Sequence, residues 1–140
     1  MGPRRKAREC ALQMLFQWDI TKDSIEQIIS TFWENQEELP ATIDFANTLA
    51  KRTIEHVERI DALIGKHAEH WRLDRMAIVD RNLLRLATQE FLYDVETPPS
   101  VVINEAIEIA RRFSAQESPQ FINGILDGIR KEVEAHPHEI

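Results

Sequence analysis

Residues 3–19, PRRKARECALQMLFQWD, carry apolar side chains at a spacing of three and four. Ala7, Cys10, Ala11, Met14 and Trp18 form one stripe of a helix over about Pro3 to Asp19, and Leu12, Leu15 and Phe16 widen it. A helix apolar over that much of its circumference is wedged between others rather than laid on a surface. One such segment already calls for a bundle.

Helical periodicity continues outward, and no strand-like alternation persists. A second helix starts near Asp23, where Asp23 and Glu26 have capping-box spacing, and ends before Pro40. From Ala41 to about His67, Ile43, Ala46, Leu49, Thr53, Ile54, Val57, Ile60 and Ile64 repeat at three and four, with Gly65 as an end or a bend. A fourth helix spans about Asp74 to Asp94, with Val79, Leu83, Leu86 and Ala87 inward. Thr97-Pro98-Pro99 stops it, because proline disfavours helix in the residue before it. A fifth, from about Ser100 to Phe113, buries Ile103, Ala106, Ile107 and Ala110. Ser118-Pro119 reads as N-cap and first residue of a sixth, which buries Ile122, Ile125, Leu126, Ile129 and Val133. The His136-Pro137-His138 end is expected to fray. Six amphipathic helices with short connections predict an all-α bundle. A hinge near Trp71 would divide a single domain, 1–140, into halves of about 1–70 and 71–135.

The 140 residues suit one domain, and a chain of that length buries about two-thirds of its unfolded surface. The only cysteine, Cys10, excludes an internal disulfide framework and a multi-cysteine zinc site, and fits a reducing cytoplasm. No run approaches the roughly 20 apolar residues of a membrane span. The basic start followed by an apolar stretch has the outline of a secretory signal. Gln13 and Gln17 interrupt it and no small-residue cleavage site follows, so it is read as folded protein.

Charge is unevenly placed. Arg4, Arg5, Lys6 and Arg8 fall within the first eight residues, which hold no acid. The remaining 13 basic residues face 24 acidic ones, a formal −11. An acidic body repels a polyanion except where positive charge is concentrated, so nucleic-acid contact should centre on that cluster. The cluster also sits at a helix start, the unfavourable end for cations by about 0.3–1 kcal/mol each. A bound anion would relieve the repulsion and use the free backbone N–H groups. A frayed, solvated start is the alternative, and the residues alone leave the two level.

Phe121 lies about 100° around its helix from buried Ile122, on the edge of the core. An exposed aromatic there can stack an unpaired base, worth ~1–3 kcal/mol. A core-edge phenylalanine is the stronger reading from the residues alone. Arg111-Arg112 suits the dipole at a helix end. Asp74, Asp80 and Arg81 read as ordinary solvated positions. His67 and His70 lack an evident third metal ligand. Cys10 lies in an apolar stripe, and there is no glycine-rich phosphate loop and no carboxylate pair in a catalytic motif. Neither enzyme nor cofactor is indicated.

Four segments then acquire a common meaning. Arg4-Arg5-Lys6-Ala7-Arg8-Glu9-Cys10-Ala11-Leu12-Gln13 resembles the opening helix of the NusB family, and Asp80-Arg81-Asn82-Leu83-Leu84-Arg85-Leu86-Ala87 with Glu90 its central helix. Ile103-Asn104-Glu105-Ala106-Ile107-Glu108-Ile109-Ala110 and Phe121-Ile122-Asn123-Gly124-Ile125-Leu126-Asp127 resemble its two closing helices. The segments stand in the family's order along nearly the whole chain. Residues 20–70 match mainly by length and helical pattern.

The resemblance implies a NusB-like fold of two three-helix bundles and a role in processive transcription of ribosomal RNA operons. It implies pairing with NusE, a small-subunit ribosomal protein, binding of single-stranded boxA RNA, and loading of an antitermination complex on RNA polymerase. A homodimer of the free chain is left open. Carried onto matching positions, Arg4, Arg5 and Arg8, with Lys6 in the same cluster, become RNA-backbone candidates. Phe121 becomes a base-stacking candidate, with Gln120 and Glu117 beside it and Phe16 near the same surface. Asp74, Asp80 and Arg81 fall where NusE is expected. Ser114, Glu117 and Gln120 depart from the commoner glycine, aspartate and basic residue; Asn104 and Asn123 are read as structural.

On this reading the basic helix start lies beside an accessible Phe121, and both grip one strand. Four phosphate contacts would give a salt slope of about −3. NusB-like domains also occur in ribosomal-RNA cytosine methyltransferases, which makes an accessory RNA-binding domain the rival reading. A helical homodimeric interaction protein is the third.

Overall fold

The computed structural model describes residues 2–136, and among these every regular element is a helix. The elements are α1 (Pro3–Thr21), α2 (Ile25–Phe32), α3 (Pro40–Glu55), α4 (Val57–His67), α5 (Ile78–Tyr93), α6 (Pro99–Phe113) and α7 (Ser118–Ala135). Two 3-10 turns, Trp33–Asn35 and Leu73–Arg75, lie in the connections. Pro3, Pro40, Pro99 and Pro119 all stand in first turns, where a missing N–H costs nothing.

There are thus seven α-helices where six were expected. The long third segment breaks at His56, whose φ of −111° and ψ of 20° leave the helical region, while Gly65 continues inside α4. The apolar repeat runs through the break, so periodicity could not reveal it. The cap of α2 is Ser24, whose side chain accepts from the Gln27 N–H at 3.2 Å, not Asp23. Glu117 rather than Ser118 precedes α7, because the Ser118 hydroxyl is engaged elsewhere. α6 buries Val102, Ala106, Ile109 and Ala110, which leaves Ile103 and Ile107 half-buried. Pro137 and His138, in the tail expected to fray, lie outside the described residues.

Two three-helix groups, α1–α3 and α5–α7, share one core, and α4 packs on α5 and α7. α5 is the axle: every residue from Asn82 to Phe91 is buried. α1 lies antiparallel to it, since Arg8 meets Glu90 at one end and Asp19 meets Arg81 at the other. α6 is tied to α1 by the ion pairs Arg5–Glu105 and Glu9–Arg112.

The α1–α4–α5 junction is polar and closed by ions. The Asp19 carboxylate accepts from Arg81 Nε at 2.8 Å, Asn82 Nδ2 at 2.9 Å and Arg85 Nη1 at 3.1 Å. Arg85 also grips Asp61 of α4 through Nε and Nη2, at 2.8 and 2.9 Å. Burial alone would push the Asp19 carboxyl up; the hydrogen bonds from Arg81 and Asn82 and the charge of Arg85 outweigh it and hold it below the usual range.

Candidate nucleic-acid interface

The four N-terminal cations divide into two kinds. Arg4 is exposed, with its guanidinium 4.4 Å from the centre of the Phe45 ring. Lys6 is half-exposed and makes no ion pair among the described residues. Arg5 instead donates to both oxygens of Glu105, at 2.5 and 3.1 Å. That contact holds the Glu105 carboxyl below its ordinary range and raises Arg5.

Arg8 corrects the expectation of a phosphate contact. It is buried and donates three hydrogen bonds, of 2.8–3.2 Å, to the equally buried Glu90. Burial pulls Arg8 down and pushes Glu90 up, against their mutual attraction. The geometry of three charge-assisted bonds keeps the pair ionic. Glu90 lies on the buried α5, so its charge needs a partner, and Arg8 in the second turn of α1 provides one.

Phe121 occupies the first turns of α7 and is half-buried against the core. Its ring meets that of Trp71 edge to face, with centroids 5.5 Å apart and planes at 77°. The two rings, with Arg75, Met76, Glu117 and Gln120, line an open cleft of about 450 Å³. Glu117 and Gln120 stand exposed on its rim.

The cleft is not beside the basic start. Asp80, also in the cleft wall, and Glu90, the partner of Arg8, mark opposite ends of α5. That separates them by about 15 Å along the helix axis. Phe16, exposed on the later turns of α1, belongs to the Asp80 end, where Asp19 meets α5. At the Asp80 end too, Arg111, Gln116, Gln120 and Asn123 line a second groove at the α6–α7 connection, next to the cleft and sharing Gln120 with it.

Of the three partner candidates, only Asp74 is openly presented, in the 3-10 turn before α5 and paired with Arg72 at 3.0 Å. Asp80 is not a solvated position: it is 7% exposed. Ser114 donates to its Oδ1, Ser118 donates to its Oδ2 at 2.9 Å, and the two hydroxyls are 2.9 Å apart. Ser114 therefore braces the α6–α7 turn against α5. Arg81 is bound to Asp19 and to the Leu73 carbonyl. Asn104 and Asn123, read as structural, are exposed.

Sequence reasoning missed Trp71 and Arg75 as cleft residues. The one available signal was a tryptophan in a polar connection between two helices.

Comparison with known proteins follows the same outline. The profile of the NusB family matches residues 5–131. The chain is 53% identical over 135 residues to a transcription antitermination protein NusB of Koribacter versatilis, covering 96% of this chain and 92% of that one. It is 46% identical to that of Solibacter usitatus, at 95% and 92% coverage. Among solved structures, T. maritima NusB superposes with a TM-score of 0.86 at 39% identity, covering 94% of this chain and 92% of that one. A crystal structure of antitermination factors NusB and NusE in complex with dsRNA contains a chain matching at a TM-score of 0.85 and 26% identity, over 93% of this chain and 97% of that one.

Proposed function

This chain belongs to the NusB family, and from that premise we propose that it is a transcription antitermination factor which binds boxA RNA together with NusE. The observation that carries the reading is relatedness along nearly the full chain to transcription antitermination proteins NusB, together with likeness to a NusB chain solved with NusE and dsRNA. It acts in the antitermination complex on RNA polymerase, in the cytoplasm, as a single domain, and it performs no catalysis.

The RNA is held as a single strand. Cations grip phosphates at one end of the surface and rings stack splayed bases at the other. Arg4 and Lys6 supply the free charge, with Arg5 able to contribute through its exposed edge. Phe121, Glu117 and Gln120 supply the base contacts, and Phe16 borders them. The 15 Å or so between the ends is a few nucleotides of extended strand. Asp74, at the turn before α5, faces NusE, while Asp80 and Arg81 hold that surface in shape.

A titration with boxA RNA, a scrambled strand and a boxA duplex, each with and without NusE, tests this. Single-stranded boxA should bind best and gain from NusE. Equal binding of boxA and scrambled RNA with NusE present would overturn the reading. Asp74→Lys should weaken NusE pairing; unchanged affinity in calorimetry removes Asp74 from that interface.

A further inference from the structure

Beyond Phe121, the cleft contains a larger and more open ring. Trp71 is 59% exposed, whereas Phe121 is half-buried. The chain turns out of α4 to present it. Glu69 adopts the left-handed region at φ 53°, and the Trp71 N–H closes the turn on the Ala68 carbonyl at 3.0 Å. The edge-to-face contact with Phe121 occupies at most one face of the indole. Arg75 stands exposed on the same cleft, and its side chain makes no ion pair among the described residues.

We propose that Trp71 is the principal base-stacking surface of this protein. It holds one unpaired nucleobase at the mouth of the cleft, Phe121 props the indole from behind, and Arg75 meets a phosphate of the same stretch. The inference rests on the RNA-binding reading above and moves the stacking role from Phe121 to a residue of the α4–α5 connection. An apolar side chain of a protein partner would use the same ring. The exposed Arg75 and Gln120 on the rim favour a polyanion with polar base edges.

The experiment measures affinity of the 140-residue chain, with NusE present, for boxA RNA and for a series in which each nucleotide in turn is made abasic. Trp71→Ala should weaken intact boxA about 5- to 150-fold, as the loss of one stacked base does. Trp71→Phe should recover most of that, and the salt slope should not change, because no charge is removed. At one abasic position the difference between wild type and Trp71→Ala should vanish. Affinity of Trp71→Ala within about two-fold of wild type overturns the proposal. So does an equal penalty at every abasic position, or a loss of NusE pairing without loss of RNA binding. If wild type itself fails to prefer boxA, the broader reading fails instead. Should Trp71→Ala fold poorly, Trp71→Phe and the abasic series on wild type decide the matter.

Discussion

Arg8 of α1 and Glu90 of α5 form a buried ion pair, with Arg8 Nη2 2.8 Å from Glu90 Oε1 and both side chains shielded from water. The helix that opens with four cations is therefore anchored by one of them. The four are divided by which way each points: Arg8 inward to Glu90, Arg5 to Glu105, Arg4 and Lys6 toward solvent.

Removing one partner of that pair strands the other's charge. Glu90→Ala should cost about 3–5 kcal/mol in urea unfolding. The double replacement Arg8→Met with Glu90→Leu should recover much of it, because two apolar groups need no mutual compensation. A loss below about 1 kcal/mol for the single change would mean that water reaches the pair.

The salt dependence of RNA binding should reflect the same division. Arg4 and Lys6 are the two of the four N-terminal cations that make no ion pair among the described residues, so replacing both by alanine should reduce the slope by roughly 1.4, at about 0.7 per phosphate on a single strand. A reduction is read from affinity against salt concentration. If Arg8→Ala alone, still folded, lowered the slope by as much, Arg8 would have to leave Glu90 on binding.

Asp80 should behave as a brace. Asp80→Ala leaves the Ser114 and Ser118 hydroxyls without their acceptor, and should destabilise by about 1–3 kcal/mol. Denaturant midpoints at constant m-value measure it. Asp80→Lys would bury an ammonium group and report on folding rather than on NusE, which is why Asp74 is the better probe of partner contact. Wild-type stability in Asp80→Ala would return Asp80 to the surface candidates.

Acid should loosen the α1–α4–α5 junction. Asp19 has its folded pKa depressed, so its contribution is complete above the unfolded value of about 4 and is lost as pH falls through the folded value. Unfolding free energy should therefore decline below about pH 4, and Asp19→Asn should flatten that decline. Equal acid slopes for the two proteins would place the sensitive carboxylate elsewhere; Glu105, also depressed by its pairing with Arg5, is the next to test.

The helix count shows what periodicity can carry. The stripe through Ala7, Cys10, Ala11 and Met14 is buried as its spacing requires. The break at His56 was invisible, because apolar residues at three and four continue across a bend that keeps the same face inward. Prolines 40, 98 and 99 marked boundaries well, since a missing N–H and a restricted φ act locally. Ser118 misled for a related reason: a hydroxyl that could cap a helix was taken by a carboxylate from another one.

What the sequence determined by itself was the helical class, most helix starts to within about a turn but neither the end of α2 at Phe32 nor the break at His56, the basic start on an acidic body, and the family resemblance. All are set by neighbours within a few residues, or by the order of segments. Which charges face water was settled only in three dimensions. Arg5 and Arg8 found their acids 100 and 82 residues away. Asp80 found its serines, and Trp71 found Phe121, on other elements 34 to 50 residues further along the chain. Burial and pairing depend on contacts between distant segments, and no local spacing encodes where those segments meet.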